Sequence, residues 1–338
     1  MKKQHQRILV VGPAWIGDMV MAQSLFMTLK QRNPEVMIDV LAPAWSLPLL
    51  ARMPEVNEAI TLPAGHGEFA LGKRFRTGWQ LRGNAYTQAI VIPRSYKAAL
   101  VPFFAGIPQR TGYRGEMRYG MINDMRVLDK NVLTQTVQRQ VALGLPESAE
   151  LPPAIPYPKL ETDTHNQKQL IEKLALVLDK PIVGLMPGAE YGPAKQWPVG
   201  HFAELARLLV GEGYQVWVFG STKEAAMGDQ IARSVRAGVY NLCGKTDLVD
   251  VLDLIACAEQ VVSNDSGLMH VAAAMDVRVN VVYGSSTPDY TPPLSDSAEI
   301  FFERLSCSPC FERTCRYGHY KCLKNITPLE VYERMQIN

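Results

Sequence analysis

Apolar residues in the first half of the chain fall into short runs separated by stretches with helical spacing. The run at 7–12 is rich in β-branched residues and ends in glycine, which predicts a buried strand. Residues 18–32 carry apolar side chains at helical spacing, so a helix is expected there. Further strands are predicted at 37–42 and 89–93. Strands that alternate with helices in this way indicate a parallel sheet covered on both faces.

The second half repeats this alternation after a proline-rich stretch at 145–160. Its strands are predicted at 181–186, 215–219, 260–263 and 277–283, and its helices at 165–178, 201–212, 248–258 and 267–275. Because dense prolines favour an extended linker, domains are predicted at 1–160 and 161–338. The expected fold class is α/β, with two doubly wound, Rossmann-like domains facing each other across a cleft. Open α/β sheets bind ligands at the carboxyl ends of their strands, so substrates should bind in that cleft.

The first 23 residues combine a basic start with an apolar stretch, as a signal peptide does. Pro13, Gly17 and Asp18 interrupt that stretch, and they favour a strand, a turn and a helix instead. No apolar run approaches the roughly 18 residues of a membrane span. A cytoplasmic location is therefore expected.

Positive charge is concentrated in one stretch, from Lys73 to Arg126, where only Glu116 and Asp124 oppose it. Its basic residues are Lys73, Arg74, Arg76, Arg82, Arg94, Lys97, Arg110, Arg114, Arg118 and Arg126. Such a field favours an anionic partner, for example a phosphorylated glycolipid or a membrane surface, although a solvated basic face gives the same pattern. Arg94 and Lys97 are candidate substrate-binding residues. No aromatic platform or nucleic-acid motif accompanies the charges, so nucleic acid is not an expected partner.

An apolar stretch at 98–105 lies within this basic region. Under one interpretation it packs in the core of the domain. Under the other it contacts lipid, and the cytoplasmic protein would then have a peripheral contact with the inner membrane.

The segment 263–274 predicts a turn between a strand and a helix. Asp265 and Ser266 are residue types that cap helices, and Gly267 lets a ligand approach the backbone. The first N–H groups of the helix would then bind a diphosphate. The alternative is an ordinary capped helix without a ligand.

Two further loops follow predicted strands in the second half. The loop at 186–198 contains Gly188 and Lys195, and a lysine ammonium there suits a leaving phosphate. A solvated loop lysine is the alternative. Glu224 follows the strand at 215–219, where a carboxylate often binds ribose hydroxyls. Its alternative is a first-turn acid stabilised by the helix dipole.

The segment 12–18 is not the dinucleotide fingerprint, because its two glycines are five residues apart and the third is missing. A nicotinamide enzyme is therefore poorly supported, and no cofactor is expected. Asp18 ends this loop. It is either the cap of the following helix or a general base that takes the proton from an attacking hydroxyl.

Four cysteines lie close together near the C-terminus, with one histidine between the last two. They are Cys307, Cys310, Cys315 and Cys322. The spacing does not match a common zinc ribbon, whose second pair is also closely spaced. Free thiols, a structural zinc site and disulfides remain open as interpretations.

Taken together, several segments resemble the lipopolysaccharide heptosyltransferases of glycosyltransferase family 9. The matching segments are 12–25, 101–107, 110–112, 114–118, 187–195, 264–274 and 286–294. They cover both predicted domains, and their combination is specific where any single one would be weak. The 187–195 segment and the loop around Trp15 resemble the members that add the second heptose rather than the first.

The resemblance implies the glycosyltransferase B architecture and a metal-independent, inverting reaction. A heptose would move from ADP-heptose to a phosphorylated lipopolysaccharide inner core that already bears one heptose. The family's catalytic aspartate falls on Asp18 and its donor-phosphate lysine on Lys195. The N-terminal domain would bind the acceptor. The C-terminal domain would bind the nucleotide sugar through Gly188, Glu224, Asp265, Ser266, Gly267, Leu268, Met269 and His270.

Two functions of other classes remain as alternatives. A nucleotide-sugar epimerase on the same architecture would need no acceptor. A non-catalytic protein that binds anionic glycolipid would use the basic stretch and release no ADP.

Overall fold

The computed structural model describes residues 6–65 and 67–335. By its internal contacts the chain divides into two compact units, unit 1 ending at Pro158 and unit 2 beginning at Lys159. The division falls inside the proline-rich stretch that the sequence marks as a linker.

Unit 1 alternates strands and helices along its length. Its elements are β1 (Arg7–Val11), α1 (Ile16–Arg32), β2 (Met37–Ala42), α2 (Leu47–Leu50), β3 (Glu58–Thr61), α3 (Leu71–Leu81), β4 (Gln88–Val91), α4 (Leu100–Phe104), β5 (Gln109–Tyr113), β6 (Asp124–Arg126) and α5 (Thr136–Ala142).

Unit 2 follows the same plan and ends in two short helices. Its elements are α6 (Thr164–Lys173), β7 (Ile182–Met186), α7 (Val199–Gly211), β8 (Gln215–Val218), α8 (Ala225–Arg233), β9 (Val239–Asn241), α9 (Leu248–Ile255), β10 (Gln260–Asn264), α10 (Gly267–Ala274), β11 (Arg278–Tyr283), β12 (Glu299–Phe302), α11 (Lys321–Lys324) and α12 (Pro328–Arg334).

Each unit contains a six-stranded sheet, and the neighbouring strands in both sheets are parallel. The order is β3-β2-β1-β4-β5-β6 in unit 1 and β12-β11-β10-β7-β8-β9 in unit 2. Read from its other edge, the sheet of unit 2 has the order β9-β8-β7-β10-β11-β12, which is the same arrangement as in unit 1. In both sheets the first and fourth strands of the unit are neighbours. This is the doubly wound order, so the predicted α/β class with two Rossmann-like domains is confirmed.

The centres of both sheets are apolar, as strands covered on two faces require. In unit 1 the core is built from β1, β2 and β4 with α4, and in unit 2 from β7, β8 and α7 with α12. α1 is buried along most of its length rather than on the single face of the prediction, because it packs on α5 as well as on its sheet.

Some predicted helix ends lie too far along the chain. α6 ends at Lys173 rather than near residue 178 because Ala175 adopts a left-handed backbone with φ of 49°, which a helix cannot include. Its start is set by Asp163, whose carboxylate accepts hydrogen bonds from the N–H groups of His165 and Asn166. α9 likewise stops at Ile255, before the predicted end at residue 258.

The strand, turn and helix expected near the N-terminus are present as β1 and α1. Residues 1–5, which belong to the segment compared with a signal peptide, lie outside the described residues. Within the described ranges, no helix combines the length and the apolar character needed to cross a membrane.

Candidate functional site

Two loops of unit 2 leave the sheet at the point where its strand order reverses. β7 and β10 are neighbours, so the loops that follow them start side by side at the carboxyl edge. The first loop carries Gly188 and Lys195, and the second carries Asp265 and the start of α10. Residues that are distant in the sequence and were predicted to share a site are thus brought together.

Lys195 and Asp265 form an ion pair across these two loops. Nζ of Lys195 lies 2.5 Å from Oδ2 of Asp265, and the Ser286 hydroxyl donates a hydrogen bond to the same oxygen. Because the Asp265 side chain is only 4% exposed, water screens the pair weakly. Lys195 is therefore held as a fixed cation, unlike the solvated lysine of the alternative interpretation.

The prediction that Asp265 caps α10 is wrong. α10 begins at Gly267 and its cap position is Ser266, while Asp265 lies one residue earlier with its carboxylate bonded to Lys195. Ser266 has the extended backbone of a cap residue, but its side chain makes no capping hydrogen bond. The first N–H groups of α10 donate to no cap side chain, and such groups favour an anion.

Asn264, the last residue of β10, ties the two loops together. Its side-chain oxygen accepts a 2.9 Å hydrogen bond from the backbone N–H of Trp197. Its amide group donates to the carbonyl oxygens of Pro187 and Gly188 at 2.8 and 3.4 Å. Since Asn264 is fully buried, these bonds fix the spacing between the Lys195 loop and the start of α10. Nothing in the sequence beyond its place before Asp265 indicated this role.

The predicted donor-binding residues of α10 differ in their exposure. Ser266, Gly267 and Leu268 are half-buried, whereas Met269 and His270 are buried. Burial lowers the pKa of His270 to about 4, and Asp265 opposes this shift only partly, so the imidazole is neutral at pH 7. The start of α10 is thus more accessible than the residues that follow it.

Glu224 lies beside the same loops, after β8. One of its oxygens, Oε2, accepts hydrogen bonds from the N–H and hydroxyl of Ser221 at 2.8 and 2.6 Å, as a first-turn acid in a capping box does. The other oxygen, Oε1, faces Gly188, where an added Cβ would lie 3.3 Å away. The carboxylate therefore serves the local turn and also lies against the loop predicted to bind the donor.

The C-terminal cysteine segment, residues 307–322, holds the Lys195 loop from outside, which the sequence did not indicate. The backbone N–H of Ala194 donates to the carbonyl oxygen of Arg313 at 3.0 Å. Gly192 has φ of +149°, and an added Cβ would lie 2.6 Å from that same oxygen, so only glycine fits there. Nζ of Lys195 and Cζ of Arg313 lie 5.0 and 5.1 Å from the ring centroid of Tyr191. Arg313 thus adds a second cation close to Lys195.

In unit 1 the corresponding reversal of strand order lies between β1 and β4. Asp18 lies in the first turn of α1, whose cap position is Trp15, so the interpretation of Asp18 as the helix cap is wrong. Asp18 is half-buried, and its backbone carbonyl oxygen accepts a 3.1 Å hydrogen bond from the side-chain amide of Gln140. Gly12 allows this close start of the helix, because an added Cβ would lie 2.7 Å from Cε of Met19.

Arg94 and Lys97 lie after β4, which is the neighbour of β1 at the point where the strand order reverses. Asp18 lies after β1, at the same point of the sheet. Arg94 is exposed and donates to the carbonyl oxygen of Arg114 at 3.2 Å. Lys97 is half-buried, with Nζ 3.5 Å from the carbonyl oxygen of Glu68. Both cations therefore lie on the unit 1 side that carries Asp18.

The basic stretch is not uniformly a solvated face. Arg118 is buried and donates to the carbonyl oxygens of Pro93 and Tyr113, and burial lowers its pKa to about 10. Arg74 is also buried, and it donates to the carbonyl oxygen of Phe69. These guanidinium groups hold loops together, as does the half-buried Arg110, which donates to the carbonyl oxygens of Met121 and Gly120. The exposed basic residues are Lys73, Arg76, Arg82, Arg94 and Arg114. Of the apolar stretch at 98–105, the first part packs in the core and Phe103 is exposed.

The cysteines of residues 307–322 are free and half-buried. Across residues 6–65 and 67–335, no three His, Cys, Asp or Glu side chains are grouped to hold a metal ion, so the zinc and disulfide interpretations gain no support. Backbone N–H groups, first that of Tyr320, lower the pKa of Cys315. Burial raises the pKa of Cys322 to about 11.

Comparison with known proteins gives consistent matches along the whole chain. The family model described as glycosyltransferase family 9 (heptosyltransferase) matches residues 74–321. The lipopolysaccharide heptosyltransferase 2 of Salmonella typhimurium is 47% identical over 97% of both chains, and that of Escherichia coli is 46% identical over the same shares. The solved structure of the E. coli ADP-heptose lps heptosyltransferase II covers 97% of both chains with a TM-score of 0.83 and 43% identity. The narrower resemblance to enzymes that add the second heptose is thereby confirmed.

Proposed function

The chain belongs to glycosyltransferase family 9, the heptosyltransferases, and we propose that it transfers a heptose from ADP-heptose to the inner core of lipopolysaccharide. The acceptor is a phosphorylated core that already bears one heptose. The observation that carries the proposal is the buried ion pair of Lys195 and Asp265 beside the start of α10. The ion pair supplies a fixed cation, and the start of α10 supplies backbone N–H groups that no cap side chain binds. Both lie where the strand order reverses, and together they fit a nucleoside diphosphate.

In this reaction the donor binds to unit 2. The N–H groups of Gly267, Leu268 and Met269 and the ammonium of Lys195 bind the diphosphate of ADP-heptose. These groups are in place before the reaction, so they stabilise the negative charge that ADP gains as the bond to the anomeric carbon breaks. Asp265 keeps the ammonium positioned, and Glu224 lies where a ribose hydroxyl would reach Oε1.

Asp18 of unit 1 acts as the general base. An acceptor hydroxyl gives its proton to the Asp18 carboxylate while its oxygen forms a bond to the anomeric carbon of the heptose. The bond from that carbon to the β-phosphate oxygen breaks at the same time, and ADP leaves with the electron pair. Attack from the face opposite to ADP inverts the configuration at the anomeric carbon.

Arg94 and Lys97 bind phosphate groups of the acceptor. They follow the strand next to the one that precedes the Asp18 turn, which suits a core that carries its phosphates near the accepting sugar. Catalysis needs the Asp18 carboxylate and the bound donor to act on the same heptose. The reaction takes place in the cytoplasm, with the enzyme in peripheral contact with the inner membrane.

The direct test incubates the purified chain with ADP-heptose in the presence and absence of the heptosylated core. We expect ADP release that depends on the acceptor, and a product heavier than the acceptor by one heptose. The matched control is a core without its first heptose, which should accept poorly. Conversion of ADP-heptose to an epimer without acceptor would indicate the epimerase instead. Binding of core with no ADP release would indicate a glycolipid-binding protein.

A further inference from the structure

α3 carries an apolar face that is open to solvent. Leu71, Phe75 and Trp79 are spaced four residues apart and are 49%, 47% and 56% exposed. This spacing aligns them on one side of the helix. On the neighbouring α4, Phe103 is 42% exposed. We call these four side chains the aromatic ridge.

The aromatic ridge is not the buried face of a loosely packed helix. An adjoining face of α3 is already occupied, with Thr77, Gly78 and Leu81 buried. Gly78 touches α4 so closely that an added Cβ would lie 2.6 Å from Cβ of Phe104 and 2.7 Å from the carbonyl oxygen of Val101. α3 is therefore fixed by this packed face, and the exposed side chains of the ridge are not needed to hold it.

The rings of the ridge form a continuous surface. Phe75 lies 6.1 Å from Trp79 and 5.1 Å from Phe104, measured between ring centroids. Phe104 in turn lies 5.7 Å from Phe103 and so joins the two helices. A connected apolar surface of this kind is uncommon on a protein that meets only water.

Cations border the ridge. Cζ of Arg82, which is exposed, lies 4.1 Å from the ring centroid of Trp79. Cζ of Arg110 lies 5.8 Å from that of Phe103, but its guanidinium donates to backbone carbonyl oxygens and is half-buried. Arg76 is exposed on α3 itself. No acidic residue occurs between positions 69 and 115, so the segment that contains α3 and α4 has a positive net charge. Lys73 at the start of α3 pairs with Glu68, which lies just outside that range.

We propose that the aromatic ridge inserts into the headgroup region of an anionic lipid bilayer. Tryptophan and phenylalanine beside arginine are the composition of membrane-interface contacts, because the rings enter the apolar boundary while the guanidinium groups meet lipid phosphates. A second copy of the chain is disfavoured as the occupant, since a symmetric contact would bring the two positive borders together.

The contact would place unit 1, with Asp18 and the cations after β4, at the surface in which a lipid-anchored acceptor is held. Vesicle binding needs neither donor nor turnover. Its failure is therefore distinguishable from a failure of the proposed transferase function, which a water-soluble acceptor tests by itself.

The test is co-sedimentation of the full chain with phosphatidylcholine vesicles that contain or lack phosphatidylglycerol. We expect binding to the anionic vesicles, weakened by salt, and little binding to the neutral ones. The double variant Phe75→Ser/Trp79→Ser should bind anionic vesicles at least about tenfold more weakly, because the burial of two large apolar side chains in the bilayer is lost. The matched control is Leu329→Ser, which removes a comparably exposed apolar side chain from α12 of unit 2 and should bind normally.

Activity provides a second readout of the same variants. With a deacylated, soluble acceptor the double variant should keep its kcat/KM, whereas KM for acceptor in vesicles should rise. If the double variant fails to fold, Arg76→Glu tests the charged border instead and should also weaken anionic binding. Unchanged vesicle binding by these variants, or equal binding of the chain to neutral and anionic vesicles, would overturn the proposal. A dimer in sedimentation that the double variant abolishes would overturn it as well, and would assign the ridge to a second copy.

Discussion

The turn after β1 and the turn after β10 both lie where the strand order of their sheet reverses, but they are built differently. Each follows a central strand, carries an aspartate and opens a helix. In unit 2, Asp265 is buried and bonded to Lys195 and Ser286. In unit 1, Asp18 is half-buried in the first turn of α1, beyond a cap residue, Trp15, whose side chain forms no capping bond.

The difference shows that surroundings, rather than topological position, decide what a carboxylate does. A carboxylate that holds an ammonium at 2.5 Å in a buried site acts as a support for that cation. A general base must instead be reached by the hydroxyl whose proton it takes. We therefore expect catalysis to depend on Asp18 for proton transfer and on the turn of unit 2 for donor binding.

Of the substitutions that test this comparison, Asp18→Asn should have the largest effect on kcat. Without the base, kcat should fall by about 10²–10⁴, because a positioned general base contributes that much. Steady-state ADP release with the heptosylated core measures the loss. Glu330→Gln is a matched control, since Glu330 is also a carboxylate in the first turn of a helix and should leave kcat unchanged. Equal losses in the two variants would assign Asp18 to helix stability.

Lys195→Met removes the fixed cation of the unit 2 turn. We expect kcat to fall by about 10²–10³, as when one preorganised group that stabilises the leaving charge is removed. The free energy of unfolding should also fall, by about 3 kcal/mol, because Asp265 is left as a buried charge without its cation. Kinetics and urea unfolding measure the two effects.

A second substitution separates these effects. Adding Asp265→Asn to Lys195→Met removes the buried charge, so stability should recover while activity does not. Recovery of activity in the double variant would mean that Lys195 serves only the fold.

Acid should lower the free energy of unfolding through His270. The segment 12–18 of unit 1 contains no histidine, so this effect belongs to the turn of unit 2. The pKa of His270 is lowered from 6.5 to about 4 in the folded chain. The unfolded chain therefore binds a proton at higher pH than the folded chain does, and the stabilising contribution present above pH 6.5 is lost as the pH falls towards 4. The loss amounts to about 3 kcal/mol at most. Urea unfolding from pH 7 to 4.5 should show a shallower decline for His270→Gln, and identical slopes would contradict the assignment.

Arg313→Ala should have a smaller effect, confined to the donor. Because Arg313 is exposed and only adds to the charge near Lys195, the KM for ADP-heptose should rise by about two- to tenfold with kcat little changed. Arg316→Ala is the matched control, since Arg316 stacks on Tyr317 in the same segment, away from the Lys195 loop. An equal rise for both variants would indicate a nonspecific effect of charge.

Removal of metal should have the smallest effect. The Lys195 cation and the N–H groups of α10 supply the charge that a metal would otherwise provide, so transfer should continue in the presence of EDTA. A loss of activity that zinc or magnesium restores would show that the unit 2 turn is incomplete as described.

Much of the fold follows from local patterns in the sequence. The predicted strands are apolar runs, and most of them are followed by a stretch with helical spacing, so the doubly wound class could be predicted. The short strands β3, β5, β6 and β9 contain no such run and were not predicted. Helix ends were less predictable, because a backbone such as that of Ala175 is set by the packing around it. Lys195 and Asp265 were both predicted in loops that follow strands and were assigned to donor binding through the family resemblance, and the structure makes those strands neighbours.

The supports of the site could not be predicted in the same way. Asn264, Ser286 and Arg313 act through hydrogen bonds and ring contacts with residues distant in the sequence, and no local spacing encodes such contacts. The assignment of Asp265 as a cap failed for the same reason, since its carboxylate turns to a lysine 70 positions away rather than to its own helix. The aromatic ridge was missed because its exposure depends on which face of α3 meets α4.

Calorimetric titration of ADP into Asp18→Asn and Lys195→Met tests the division of roles between the two turns most directly. The account predicts that Asp18→Asn binds ADP as the unsubstituted chain does, whereas Lys195→Met binds it about tenfold more weakly or worse. Loss of ADP binding in Asp18→Asn, with binding retained in Lys195→Met, would contradict it.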